Sequence, residues 1–228
     1  MRKLLVCLFL LLSINTFGLT KVRVTPQWLP QAQFAGIYVA AEKGFYKAEG
    51  LDVEIIHPSA TKSAIKMLRE GQTDIITSQL LEAMTDYEQF PLVNILQTSE
   101  HNSLMFITRQ PITGPQCLNN KKITRWKAGY GDLGTIYAKQ NNISIDWVYM
   151  QSNIAIFISG AVDGMMAMEY NEYFQLLMSG VDLKPQNCYL LRDHGFDIPE
   201  DGFYTSQKYL KAHPDVVKRF VRATKKGW

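Results

Sequence analysis

Histidine is sparse in this chain of 228 residues, and His57, His101, His194 and His213 stand singly, so no metal-ligand spacing of the H-E-x-x-H kind exists. No Gly-x-Ser-x-Gly element occurs, and no cysteine accompanies a histidine in a nucleophile motif, which removes the usual carriers of hydrolase chemistry. Cysteine itself is limited to three residues, and Cys7 falls in an N-terminal apolar run. Neither Cys117 nor Cys188 lies in a Cys-x-x-Cys pair, and two buried free thiols are expected, although an oxidising compartment would permit a bridge. An excess of one charge is also lacking. The chain has 24 Lys and Arg against 21 Asp and Glu, two of the basic residues being Arg2 and Lys3. A nearly neutral remainder offers neither nucleic acid nor anionic membrane the clustered positive charge that they require. Catalytic residues, metal ligands and a cofactor are therefore not expected; a binding protein is expected rather than an enzyme.

Only one long apolar run is present, Leu4 to Ile14, directly after the basic start Met1-Arg2-Lys3. That length suits a signal-peptide core and is too short for a membrane span. Residues 1–20 are accordingly expected to be a signal peptide, cut near Gly18 to Thr20, where Thr16 and Gly18 supply small residues. Val6 before Cys7 does not fit a lipoprotein signal. The expected destination is the periplasm or another exported location, and the expected state a monomer. The roughly 200 residues that follow can hold one large or two small cores.

Short apolar runs alternate with helical stretches twice over. The first copy reads Lys21 to Thr25 as a strand, Gln33 to Glu42 as a helix stopped by Gly44, Asp52 to Ile56 as a strand, Thr61 to Glu70 as a helix ended by Gly71, and Thr73 to Thr77 as a strand. The second reads Lys122 to Trp126, Leu133 to Gln140, Ser144 to Tyr149, Asn153 to Ser159 and Asp163 to Met168 in the same order. Both copies share helix, Gly, two residues, Asp and apolar strand, in REGQTDIITS (Arg69 to Ser78) and ISGAVDGMMAM (Ile158 to Met168). Between them lie apolar strands at Leu92 to Gln97 and Leu104 to Thr108. Two α/β lobes of like topology are expected, with passages at Thr108 to Asn120 and Ile198 to Thr205. The boundaries expected are 21–108 with 199–228 for lobe one and 109–198 for lobe two. Helices at Ser206 to Ala212 and Asp215 to Lys226 should pack back on lobe one, whose C-terminal part is expected to be incomplete.

Open α/β sheets hold ligands at the carboxyl ends of their strands, so the loops there carry the candidates. They are Gln27, Trp28, Gln31 and Gln33 after the first strand, Ser78 after the third, Tyr130 after the first strand of the second copy, and Tyr170, Asn171 and Glu172 after its last. Aromatic faces beside amides and a carboxylate suit a flat, polar ring. Each has a plainer role open to it: Trp28 as a cap on the lobe-one core, Asn171 as a helix N-cap. Gly129-Tyr130-Gly131-Asp132-Leu133-Gly134 fits the dinucleotide fingerprint only nominally, since Asp146 is the sole near candidate for its acidic partner; a helix N-terminus facing the cleft is the better reading. The adjacent acids Glu200-Asp201 fall in the second passage, where solvation or hinge contacts account for them.

The stretch from Gln27 to Ile55 (QWLPQAQFAGIYVAAEKGFYKAEGLDVEI) resembles the opening of the thiamine-pyrimidine-precursor binding proteins, relatives of the nitrate, sulfonate and taurine receptors. Phe157 to Tyr173, Ile198 to Ser206 and Val216 to Trp228 resemble the same family. The resemblance implies a type II periplasmic-binding-protein fold that closes on a small-molecule ligand and delivers it to an ABC permease of the inner membrane. It also implies a pyrimidine stacked on Trp28 beside Gln27, with Tyr170, Asn171 and Glu172 from the other lobe. Some members carry Asn and His where this chain has Gln27 or Gln31 and Phe34. The family includes a fungal enzyme that builds the pyrimidine from pyridoxal phosphate, and this chain lacks that enzyme's cysteine-rich motif. A ligand-sensing domain of a larger signalling protein is the other alternative.

Overall fold

A computed structural model describes residues 18–59, 62–85, 87–126, 132–150 and 154–228. The first lobe is built on β1 (Thr20–Thr25), β2 (Leu51–Ile55), β3 (Ile75–Gln79), β4 (Leu92–Gln97) and β10 (Asp201–Ser206), joined in the order β2-β1-β3-β10-β4. The second is built on β5 (Leu104–Thr108), β6 (Lys121–Trp126), β7 (Ile145–Met150), β8 (Gly164–Met168) and β9 (Cys188–Leu190), in the order β7-β6-β8-β5-β9. The two orders match strand for strand. In each, three parallel strands meet one antiparallel strand that comes from the other end of the chain's path. The repeat seen in the sequence is therefore a repeat of sheet topology.

Helices α1 (Ala35–Glu42), α2 (Phe45–Ala48), α3 (Ala64–Arg69), α4 (Leu80–Thr85), α8 (Gln207–Ala212) and α9 (Pro214–Gly227) belong to the first lobe. Helices α5 (Asp132–Gln140), α6 (Ala155–Ile158) and α7 (Glu172–Met178) belong to the second. Gly44 ends α1 at φ 70°, a left-handed position that costs glycine nothing. The apolar stripe of α9 lays Val216, Phe220 and Ala223 into the lobe-one core with Val22, Val24 and Ile37. Phe220 stacks on Tyr46 with ring centroids 5.3 Å apart, and the Tyr46 hydroxyl meets Thr224 Oγ1 at 2.9 Å. The last helix thus returns to lobe one, as expected. The lobe-two core gathers Phe106, Tyr137, Phe157 and Met166 around β5 and β8, whose residues are buried throughout because both faces of those central strands are covered.

Several boundaries differ from the sequence expectation. The strand β5, expected with lobe one, pairs with β8 and β9 in the second sheet, so the chain changes sheets at residues 98–103. Pro111 to Asn120 forms a turn and the 3-10 helix Pro115–Leu118 inside lobe two. Turn-forming residues mark a loop without saying which sheets it connects. The second passage is likewise shorter: Asp201 to Ser206 is a central strand between β3 and β4, not a linker. β3 begins at Ile75 rather than Thr73, because the Thr73 hydroxyl turns back to bond the carbonyls of Arg23 and Ile75. α3 begins at Ala64, capped by Ser63 Oγ accepting from Lys66 N–H. The short elements α2 and β9 were not expected. Cys117 and Cys188 are separate thiols, half-buried rather than fully buried.

Gly164 pairs with Thr108 where β8 meets β5. A Cβ there would lie 2.8 Å from Thr108 Cγ2 and 2.9 Å from the Ile107 carbonyl oxygen, and a sheet backbone cannot retreat from it. Gly164→Ala is expected to lower stability by about 1 to 3 kcal/mol in urea denaturation; a loss below about 0.5 kcal/mol would show that the two strands yield more easily than their packing implies.

Candidate functional site

The carboxyl ends of β1, β6 and β8 face one another between the lobes. There a small cavity of about 20 Å³ is lined by Trp28, Gln31 and Gln33 from lobe one and by Trp126, Met168, Tyr170, Asn171 and Glu172 from lobe two. Trp28 follows β1 directly and packs against the cores of both lobes. Its carbonyl oxygen lies 3.1 Å from His57 Nδ1, and His57 Nε2 lies 3.1 Å from the Tyr38 hydroxyl. An imidazole at the end of β2 thereby holds the tryptophan loop in place.

Six of the expected residues from the loops, Trp28, Gln31, Gln33, Tyr170, Asn171 and Glu172, meet at this cavity. Gln27 stands behind them, buried, with its backbone N–H donating to Thr77 Oγ1 at 2.9 Å and its Nε2 to Asp201 Oδ1 at 2.6 Å. Ser78 is wholly buried and does not line this cavity; its hydroxyl donates to the Gln79 carbonyl at 3.1 Å and to Glu82 Oε2 at 3.4 Å. Tyr130, with the Gly129 to Gly131 loop, lies outside the described residues. Asn171 occupies the position before α7 without a capping bond from its side chain. Instead its Nδ2 donates to Glu172 Oε1 at 2.8 Å and, across the cleft, to Gln31 Oε1 at 3.3 Å. Glu172 Oε2 accepts the Met168 backbone N–H at 2.9 Å, which ties the end of β8 to the start of α7.

Trp126, the last residue of β6, also lines the cavity; an apolar residue inside a strand carries no sequence signal that separates it from the core. Glu200 and Asp201 stand behind the cavity. Both are buried, at 5% and 7% exposure, where solvation had been expected; hinge contacts they do make. Glu200 Oε2 accepts the Ser103 N–H and hydroxyl, each at 2.6 Å, from the other passage between the lobes, and Tyr170 lends the same carboxylate a hydrogen bond. Asp201 faces the opposite way and accepts from Gln27 and from Gln33 Nε2 at 2.5 Å. Burial, and then the neighbouring Glu200 charge, push the Asp201 carboxyl up to about 7, against the pull of the two glutamines. Burial also raises Glu200, Glu172 and Glu82, the last beside Ser78 and facing Asp132 across the lobes.

A larger groove of about 590 Å³ runs open along the outer side of α1 and β2, lined by Tyr38, Val39, Glu42, Lys43 and Ile55. Its lining is mostly apolar, and it lies away from the strand ends. No group of His, Cys, Asp and Glu among the described residues could hold a metal.

The profile of the NMT1/THI5-like family matches residues 31–228. The chain belongs to that family. Relatives within reach include a riboflavin-binding protein of Chloroflexus aurantiacus, RibY, 23% identical over 92% of this chain, and a formylaminopyrimidine-binding protein of Halalkalibacterium halodurans, 24% identical over 92%. A 4-amino-5-hydroxymethyl-2-methylpyrimidine phosphate synthase of Saccharomyces cerevisiae is 22% identical over 91%. The chain spans 62 to 66% of the length of these three. Among solved structures, the periplasmic aliphatic sulphonate binding protein SsuA of Escherichia coli superposes with a TM-score of 0.68 at 12% identity, covering 91% of this chain and 72% of that one. The fold is that of the periplasmic binding proteins.

The raised carboxyls generate a pH dependence of stability. An acid whose pKa is higher in the folded protein binds protons more tightly there, so its contribution is fully present below its unfolded value near 4 and is lost as pH rises through the folded value, about 7 for Asp201. Glu82, Glu172 and Glu200 act in the same direction. The lowered acids Glu49, Glu70 and Asp197 are solvent-screened and act only at lower pH. Urea denaturation should find the ligand-free protein less stable at pH 8 than at pH 5.5, and Asp201→Asn should recover about 1 to 3 kcal/mol at pH 8 and little at pH 4. A wild-type profile flat from pH 5 to 8 would contradict this account.

Proposed function

We propose that the chain is an exported solute-binding protein that captures a small polar heteroaromatic ligand, of the thiamine-pyrimidine-precursor kind, in the cleft between its lobes and delivers it to an ABC uptake permease. The observation that carries this reading is the cavity itself. Three aromatic side chains, Trp28, Trp126 and Tyr170, meet there with Gln31, Asn171 and Glu172, drawn from both lobes. Flat faces with a few directed polar groups are how proteins bind planar rings. The formylaminopyrimidine-binding relative supports a pyrimidine and RibY a larger flat ring; both are named for binding.

Local charge argues against the sulfonate class to which SsuA belongs. Among the described residues at or just behind the cavity, the acids are Glu172, Glu200 and Asp201, and the nearby Arg192 is paired with Glu169 at 2.8 Å. A neutral or protonatable ring suits that field; an anion does not. The basic start and apolar run of the leader support export, with Thr20 belonging to β1 rather than to the leader. The synthase relatives keep one alternative in view, and adding pyridoxal phosphate while following the absorbance of a lysine Schiff base separates it.

A cavity of about 20 Å³ holds roughly one water, so a ring enters only when the lobes separate. Ligand contacts from both sides then favour the closed state by their differential affinity. Small-angle scattering should show a smaller radius of gyration on adding 4-amino-5-hydroxymethyl-2-methylpyrimidine to the full chain. Tight binding without compaction would argue for a pocket within one lobe. The same ligand should quench or shift tryptophan fluorescence, and Trp28→Ala should cost about 1 to 3 kcal/mol of binding by titration calorimetry, by analogy with bases stacked on aromatic side chains. Undiminished affinity in a folded Trp28→Ala protein removes that residue from the site.

A further inference from the structure

Asp201 lies behind the amides of the cleft, and the hydrogen bonds leading to it all run one way. Gln27 and Gln33 each donate Nε2 to its carboxylate, at 2.6 and 2.5 Å. Gln31 Nε2 donates to Gln33 Oε1, Asn171 Nδ2 donates across the cleft to Gln31 Oε1 at 3.3 Å, and Gln175 Nε2 donates to Asn171 Oδ1 at 2.7 Å. Four side-chain amides form a ladder from a buried acid in lobe one to α7 in lobe two. While Asp201 is ionised, that direction is a chemical necessity. An ionised carboxylate only accepts, so Gln33 must turn its NH2 inward and keep its oxygen for Gln31. Gln31 then spends its NH2 on Gln33 and leaves its own oxygen facing the other lobe.

We propose that Asp201 is a positioning residue that sets the donor and acceptor pattern the cleft offers to its ligand. Through Gln33 it fixes Gln31 as an acceptor on the lobe-one side, opposite the Asn171 N–H donor and the Glu172 carboxylate on the other. This rests on the reading of the cleft as the ligand site. The longest bond of the ladder, between Gln31 and Asn171, is the one that a ligand entering between the lobes replaces. A ligand replacing it must donate to Gln31 and accept from Asn171: an amino group beside an unprotonated ring nitrogen. A 4-aminopyrimidine has that edge, whereas a 4-pyrimidinone presents a carbonyl beside N–H, the reverse pattern. Protonation of Asp201 adds a donor at the foot of the ladder and loosens the orientation. The groups bearing on that proton are Glu200 beside it on β10, Gln27 and Gln33 from the loop after β1, and Tyr204 further along β10. Glu200 is in turn faced by Ser103 from the other passage and by Tyr170 and Arg192 from lobe two.

Two measurements on the full chain test the assignment. The first needs no ligand: side-chain amide NMR should show slow hydrogen exchange at Gln27, Gln31 and Gln33, shifts at Gln33 that titrate across neutral pH, and loss of both in Asp201→Asn. Exchange and shifts unchanged by that substitution overturn the proposal. The second compares 4-amino-5-hydroxymethyl-2-methylpyrimidine with the corresponding 4-pyrimidinone. The wild type should prefer the amino compound by at least about tenfold, because an edge of reversed polarity leaves buried partners unsatisfied. Asp201→Asn should narrow the preference to about threefold or less, and Gln33→Met, which keeps the side-chain shape and severs the ladder, should narrow it likewise. A preference retained in both variants overturns the proposal. A wild-type chain that binds neither pyrimidine overturns the reading of function instead; the ligand-free exchange then decides alone for Asp201, lost protection supporting its role and retained protection refuting it.

Discussion

Two adjacent buried carboxylates, Glu200 and Asp201, are the constraint on which the arrangement of the lobes depends. Side chains of successive residues in extended chain point to opposite sides. Glu200 therefore reaches toward the other passage and lobe two, to Ser103 and Tyr170, while Asp201 reaches into the lobe-one loop, to Gln27 and Gln33. Taking two neighbouring acids out of water is costly, and their mutual repulsion adds to the cost. What offsets it is a set of short hydrogen bonds, each from a group whose position is thereby fixed. The backbone takes part as well: the Asp201 carbonyl accepts the N–H groups of Thr98 and Ser99, and the Glu200 N–H donates to Ser99. The two strands of the hinge are stitched together at the residue that also organises the loop after β1.

That stitching continues at Asn102, whose N–H donates to Asp197 Oδ1 at 3.0 Å and whose Nδ2 donates to the Phe196 carbonyl at 3.0 Å. Across the mouth of the cleft, by contrast, Asn171 and Gln31 are joined by a long side-chain bond, beside the packing of Trp28. Separating the lobes there gives up that long bond, while the hinge keeps its short ones. Differential strength between hinge and mouth is what lets a two-lobed protein open without unfolding. It also places Trp28 so that opening exposes its lobe-two face.

The sequence revealed what depends on local pattern. Alternation of apolar residues marked the strands, glycine marked the helix ends, and the carboxyl-end rule brought Trp28, Gln31, Tyr170 and Asn171 to one place. It was silent about what depends on partners far along the chain. Sheet membership is such a property, and β5 reads identically whether it pairs with β4 or with β8. Burial of Asp201 is another: IPEDGFYTS looks like a polar linker until its tail is inserted between β3 and β4. Gln27 shows the limit from the other side. It was singled out as an amide at the strand end, and it is one, yet its Nε2 is spent on Asp201 and its backbone on Thr77, inside its own lobe.

A fold shared with SsuA at 12% identity cannot carry the choice of ligand, since the same two sheets serve both proteins. The choice must reside in the few side chains at the strand ends and in whatever orients them. An amide is an ambiguous reader, because rotating it by half a turn exchanges donor for acceptor at almost no steric cost. A loop offering Gln27, Gln31 and Gln33 would on its own read either polarity. A carboxylate that can only accept removes the ambiguity, and it does so from beneath the loop, where burial keeps water from competing for the same bonds. Burial that makes Asp201 an effective director also raises its pKa toward neutrality, so the direction it imposes is bound to the pH of the compartment in which the protein works.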